Sequence, residues 1–258
     1  MTTPSPLCAY DISSDGTAIA AGDVGLVTQA TYRWLHFDLN DPAFETWVRS
    51  NLPSPAAEAL AQSETRPRCD GLPGGLILNL RGVNLNAGAD AEDMVSIRLW
   101  VTDGLIISAR RSKIFAVDAI RKDIDEGHAP KSVSGFLAAL AFGLTMRIEG
   151  VSLTCVELAD EIEDLAFDPA APPPFDLPKL RQRIIKLRRF LRPQSEALRV
   201  VGAGVIWPLD DVSRDYLRDT INRNQRTVEE LDATTDRLAA IQDHEDAQAA
   251  IALGGNPP

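Results

Sequence analysis

Cysteine and histidine are scarce in this 258-residue chain: Cys8, Cys69 and Cys155, and His36, His128 and His244, all lie far apart. An odd, dispersed cysteine set points to a reducing compartment rather than a disulfide framework. With no Cys-x-x-Cys, no His-x-x-x-His and no Cys/His cluster, a zinc site of the finger type is not expected. Long apolar runs are missing as well. The longest stretch without charge, Ser132 to Met146, is interrupted by serine, glycine and threonine, and a bilayer span needs roughly 20 mostly apolar residues. The chain as given is therefore expected to span nothing. Its start, Met1-Thr2-Thr3-Pro4-Ser5-Pro6, lacks the basic and apolar regions of a secretory signal, which makes the cytoplasm the expected address. Phosphate-loop and nucleophile-elbow motifs are absent too, and Gly202-Ala203-Gly204 lacks the third glycine and preceding strand of a dinucleotide fingerprint. No enzyme is expected.

Charge of one sign is in short supply. Lys and Arg number 26 against 37 Asp and Glu, a net charge of -11, which argues against nucleic acid and anionic membrane surfaces and suits a cationic partner. At 45% hydrophobic residues the chain has enough apolar material for a packed core.

The first half reads as mixed α/β. Ala30 to Leu39 alternates in the manner of a half-buried strand and ends at Asn40-Asp41-Pro42. Phe44 to Leu52 and Ser54 to Gln62 suggest short helices, the second with Ser54 as cap. Strands are expected over Gly75 to Val83, Met94 to Val101 and Leu105 to Arg110. Thr102-Asp103-Gly104 should form a tight hairpin, because Asp-Gly tolerates the positive φ of such turns. Phe115 to Glu126 follows as an amphipathic helix stopped by Gly127.

From Ser132 onward the pattern is helical: Ser132 to Leu165, a break in the proline-rich segment Pro169 to Pro178, then Lys179 to Arg192 with Leu180, Ile184, Leu187 and Leu191 on one stripe. After Asp210 and Asp211 no glycine or proline intervenes until Gly254. Leu217, Ile221, Asn224, Val228, Leu231, Thr235, Leu238, Gln242 and Glu245 recur at steps of four and three, a heptad seam. A helix this long should protrude as a stalk or pack against copies of itself. The expected division is 1–131 α/β, 132–209 helical and 210–258 stalk. The fold class is α/β (α+β): an α/β/α sandwich with a mixed sheet, followed by helices ending in the stalk.

Charges in the helical half are segregated. Val156 to Asp176 holds seven acids and no base, whereas Lys179 to Arg199 holds eight bases against Glu196. One reading is a charge-complementary helical hairpin, with opposite charges facing across the proline turn. The other is collection of divalent cations: Glu157/Glu161 and Asp160/Asp164 are i,i+4 carboxylate pairs on neighbouring turns. His244, within Asp243-His244-Glu245-Asp246, adds a transition-metal contact or simply a solvated helix face.

The run from Leu80-Arg81-Gly82-Val83-Asn84 through Asp93-Met94-Val95-Ser96-Ile97-Arg98-Leu99-Trp100 resembles the cytoplasmic domain of CorA-type metal ion transporters, and within them the ZntB-like zinc branch. Trp34-x-His36-x-Asp38, Ile107-Ser108-Ala109-Arg110 and Leu191-Arg192-Pro193-Gln194 match as well, so the resemblance covers about Trp34 to Ala250. It implies a homopentamer in the inner membrane with a cytoplasmic funnel, Zn2+ or another divalent cation as transported or regulatory ion, and no bound cofactor. It also implies that the last helix leads toward membrane spans and a Gly-Met-Asn signature that this sequence lacks. From outside the family comes the alternative of a soluble coiled-coil scaffold using the Leu217 to Leu238 seam for a partner helix.

Overall fold

A computed structural model describes residues 3–166 and 176–254. Its elements run β1 (Cys8–Ile12), β2 (Ala18–Ala20), β3 (Tyr32–Asp38), α1 (Pro42–Asn51), α2 (Ser54–Ala61), β4 (Arg68–Leu72), β5 (Gly75–Gly82), β6 (Val95–Thr102), β7 (Leu105–Arg110), α3 (Phe115–Asp125), α4 (Val133–Ala166), α5 (Leu177–Gly202) and α6 (Asp211–Gly254). The strands form one sheet in the order β2-β1-β3-β7-β6-β5-β4. Only the β3–β7 pairing is parallel, so the sheet is mixed.

Alternation along the strands sends side chains to two different cores. Leu35, Phe37, Ile77, Trp100 and Ile107 pack under α1 and α2. Tyr32, Trp34, Leu78, Leu99 and Ile106 face α3 and α4. The result is the expected α/β/α sandwich. It also revises the half-buried reading of the Ala30 to Leu39 strand: β3 is central and covered on both faces, with Tyr32 through Phe37 all buried.

Local signals are met unevenly. Asp41 caps α1, accepting from the Ala43 N–H at 2.9 Å with Pro42 in the first turn. Ser54 does not cap α2: Pro53 holds that position, and the Ser54 hydroxyl instead donates to Glu58 at 3.2 Å. The β6–β7 hairpin forms, yet neither Asp103 nor Gly104 takes positive φ, so the turn does not use the freedom that Asp-Gly offers. Pro73-Gly74 between β4 and β5 does need a glycine, with Gly74 at φ +82 after a proline, the φ pattern of a type II turn.

Among the described residues α4 is the one helix long and apolar enough to cross a membrane, its best window having a mean hydropathy of 1.5 and half its residues buried. A stretch broken at Arg147 concealed this, because the helix runs on through that residue. Phe136, Leu140 and Leu144 lie in the core against the sheet, with the Phe136 ring 4.9 Å from that of Trp34. Phe136→Ala should lower unfolding free energy by about 3–5 kcal/mol, the usual loss for a buried aromatic. Urea denaturation measures it, and a loss below ~1 kcal/mol would contradict this packing.

Candidate functional site

The helical limb is organised by one carboxylate. Asp210 Oδ1 accepts from the Ser213 N–H at 2.8 Å, capping α6. Asp210 Oδ2 accepts from the hydroxyls of Ser132 (3.1 Å), Ser213 (2.9 Å) and Ser134. Ser132 Oγ in turn accepts from the Gly135 N–H at 3.0 Å, at the start of α4. Partial burial alone would raise the Asp210 pKa, but the hydrogen bonds from Ser134, Ser213 and Ser132 outweigh it and hold the carboxyl at about 2.

The N-termini of α4 and α6 therefore share an anchor, and the two helices run parallel. Far along both, the Arg237 guanidinium meets Asp160 at 2.6 Å and Glu163. α5 returns antiparallel between them: Ser195 accepts from Asn224 at 2.5 Å, and Arg188 donates to Thr235 at 3.0 Å. Leu180, Ile184, Leu187 and Leu191 of α5 pack with Ile148, Cys155, Ala159 and Ile162 of α4 and Val228, Leu231 and Leu238 of α6.

This geometry answers several sequence expectations. Leu217, Asn224, Val228, Leu231 and Leu238 are buried within the chain itself, while Ile221, Thr235 and Gln242 are half-buried along the same face. Copies of α6 are thus not what covers the seam; α4 and α5 are. Among the described residues α6 extends past the last turn of α4 by roughly a dozen residues, ~18 Å at 1.5 Å per residue.

α4 and α5 lie antiparallel, as expected of the hairpin. Among the described residues no ion pair joins α4 to α5; the basic side chains of α5 go elsewhere. Arg183 meets Glu92 and Lys186 meets Asp93 on the β5–β6 loop, and Arg188 and Arg192 flank Asp232 of α6. The segment at 167–175, which holds most of the expected proline turn, lies outside the described residues.

Glu157, Asp160, Glu161 and Asp164 are exposed on α4, and Asp160 is engaged by Arg237. His244, half-buried, meets Gln248 at 2.8 Å. No group of three or more His, Cys, Asp or Glu able to hold a metal occurs among the described residues. Three arginines near the start of α6 pair with acids one turn away, Arg214 with Asp211, Arg218 with Asp215 and Arg223 with Asp219. Beyond Arg237 the helix carries Asp243, Glu245 and Asp246 with no basic residue. The acidic surface thus gathers toward the shared C-terminal end of α4 and α6.

His36 is a core residue. Its Nδ1 lies 2.8 Å from Ser108 Oγ, which also accepts from Trp34 Nε1 at 2.8 Å. Burial, with Arg110 and Arg121 nearby, pushes the imidazole down to about 3, so it stays neutral at physiological pH.

A family model for the CorA-like Mg2+ transporter protein matches residues 29–253. The chain belongs to that family. It is 33% identical over 238 residues to the zinc transport protein ZntB of Pectobacterium atrosepticum (strain SCRI 1043), spanning 91% of this chain and 72% of that protein. The solved cytoplasmic domain of ZntB from Vibrio parahaemolyticus superposes with a TM-score of 0.83 at 25% identity, covering 96% of this chain and 99% of that one. Full-length CmaX superposes at 0.88 with 29% identity, covering 98% and 80%. The sandwich, the mixed sheet and the long last helix are thus the family's fold.

Asp210→Ala should destabilise the chain by about 0.5–2 kcal/mol through the lost cap. Because the carboxyl is held below its ordinary value of 3.8, its contribution is present above about pH 4 and lost as pH falls toward 2. Thermal unfolding of both proteins across that range should show the difference closing with acid; a gap that widens would contradict the assignment.

Proposed function

We propose that this chain is the cytoplasmic domain of a CorA-like divalent-cation transporter acting on zinc, placed at the inner face of the inner membrane and assembled as a homopentamer. The observation that carries this reading is the nearly coextensive match to a solved ZntB cytoplasmic domain. Zn2+ enters as cargo or regulatory ion, not as a resident cofactor. Supporting it, the acidic C-terminal end of α4 and α6 would face, in a parallel ring, the mouth of a central cation path and raise the local cation concentration there. Glu157, Asp160, Glu161 and Asp164 contribute to that field, and His244 adds a nitrogen donor rather than charge. The scaffold alternative loses its motive, because the seam it would offer to a partner is covered by α4 and α5.

Light scattering should report a particle of five 28.0-kDa copies; a stable dimer would overturn the assembly. Zn2+ retention should be weak and should fall between 0.1 M and 1 M salt, where the Debye length shrinks from about 10 Å to about 3 Å. Salt-insensitive binding that disappears in Asp160→Ala/Asp164→Ala would instead mean direct ligation on α4.

A further inference from the structure

The acidic chain encloses one enclave of the opposite sign. Where the loop after α2, the strands β5 and β6, the end of β7 and the middle of α5 converge, a cavity of about 540 Å³ is lined by Arg66, Arg81, Arg98, Arg111 and Arg189, with Phe190 on its wall. Among the described residues none of these arginines forms an ion pair, and the one carboxylate on the lining, Glu64, bonds to none of them. Several arginines that bridge elements elsewhere are paired: Arg33 with Asp11 and Asp23, Arg183 with Glu92, Arg237 with Asp160 and Glu163.

Two of the five are deep in the wall. Arg98 is 1% exposed, and only main-chain carbonyls hold it: Leu60 at 2.8 Å, Ser63 at 3.3 Å and Gln62. Arg81 donates to the carbonyls of Met94 at 2.6 Å and Thr65 at 2.8 Å. In both, Nε is buried with no partner. Asn79, opposite Arg98 on the neighbouring strand and 1% exposed, has neither amide atom hydrogen-bonded. Burial lowers the Arg98 pKa to about 10, with help from Arg111 and Arg81; burial and Arg189 lower that of Arg81, against a smaller raising influence from exposed Glu64. Buried charge normally comes with a counter-charge, and adjacent buried cations repel. The missing partner is an anion.

The shape of the donors narrows its chemistry. Guanidinium forks match the oxygens of phosphoryl groups, and a charge-assisted pair of that kind gains most where water is excluded. The Phe190 face is already covered by the guanidinium of Arg81 at 3.9 Å, with that of Arg189 at 5.4 Å, so the cavity offers charge rather than a stacking platform. We propose that this cavity binds phosphoryl groups, those of free phosphate or polyphosphate or those of a nucleotide, and that the bound anion ties the sheet to α5. The site does not depend on the transport reading and stands or falls on its own test.

Thermal unfolding and calorimetry on the whole chain, at ionic strength fixed with sodium chloride, test it with inorganic phosphate, pyrophosphate and ATP. Millimolar pyrophosphate should raise Tm by several degrees over the chloride control, and phosphate by less. Equal responses to pyrophosphate and ATP identify the bare phosphoryl chain as ligand; a larger response to ATP identifies a nucleotide. Arg111→Gln/Arg189→Gln changes exposed side chains that the fold tolerates, and should weaken binding at least tenfold. The charge-matched control Arg49→Gln/Arg226→Gln should bind as the wild type does. No shift beyond chloride, or equal binding by the Arg111→Gln/Arg189→Gln protein, overturns the proposal.

Discussion

The helix α4 serves two cores in succession, and the rest of the molecule is arranged around that. Its first half, through Phe136, Leu140 and Leu144, is a layer of the sandwich. Its second half, through Ile148, Cys155, Ala159 and Ile162, is one wall of the three-helix limb. A rigid helix cannot change direction between these tasks, so the limb's axis is set by how α4 lies on the sheet. Asp210 then fixes α6 to the same origin by tying its cap to Ser132 and Ser134. With both N-termini pinned, α6 could still swing or rotate, and the packing of its apolar stripe against α4 and α5 removes both freedoms.

Charge is distributed by the same architecture. Near the base of α6, arginines neutralise neighbouring acids one turn away, contacts worth little individually at exposed positions. At mid-length Asp232 and Arg237 bind across to α5 and α4 and so set register. Past that point acids stand without basic residues. The C-terminal turns of α6 are thus acidic, while the arginine enclave lies elsewhere, where α5 meets the sheet.

Much of this was legible in the sequence because the strongest signals were long and periodic. β3, β5, β6, β7, α3 and the stripe of α5 declare themselves through alternation or three-to-four spacing. β1, β2 and β4 do not. β2 has three residues, and β4 is an edge strand of Arg68, Cys69, Asp70, Gly71 and Leu72, whose polar content suits an edge and masks the pattern. The acidic and basic segments were visible, but not their partners. Adjacent segments suggested mutual pairing, whereas Glu92, Asp93, Asp232 and Arg237, remote in sequence, took those roles. The enclave was hidden for a related reason: Arg81 and Arg98 sat in plain view in the family-like block, but their lack of counter-ions is a property of the folded chain.

The seam of α6 illustrates how a heptad pattern underdetermines its partner. Spacing reports that one face is buried; it does not report whether the other helices belong to the same chain. Here the polar members carry the answer. Asn224 donates to Ser195, and Arg188 donates to Thr235, both contacts to α5 of the same chain. Buried polar residues of this kind fix register at some cost in stability. The same stretch of α5, from Arg188 to Ser195, also presents Arg189 and Phe190 to the enclave and places the Gln194 side-chain Oε1 where it accepts from the Arg81 main-chain N–H at 2.7 Å. Two turns of one helix thus hold the sheet on one side and the stalk on the other. A displacement at the rim of the sheet cannot be absorbed locally, because the residues that would yield are those that register α6.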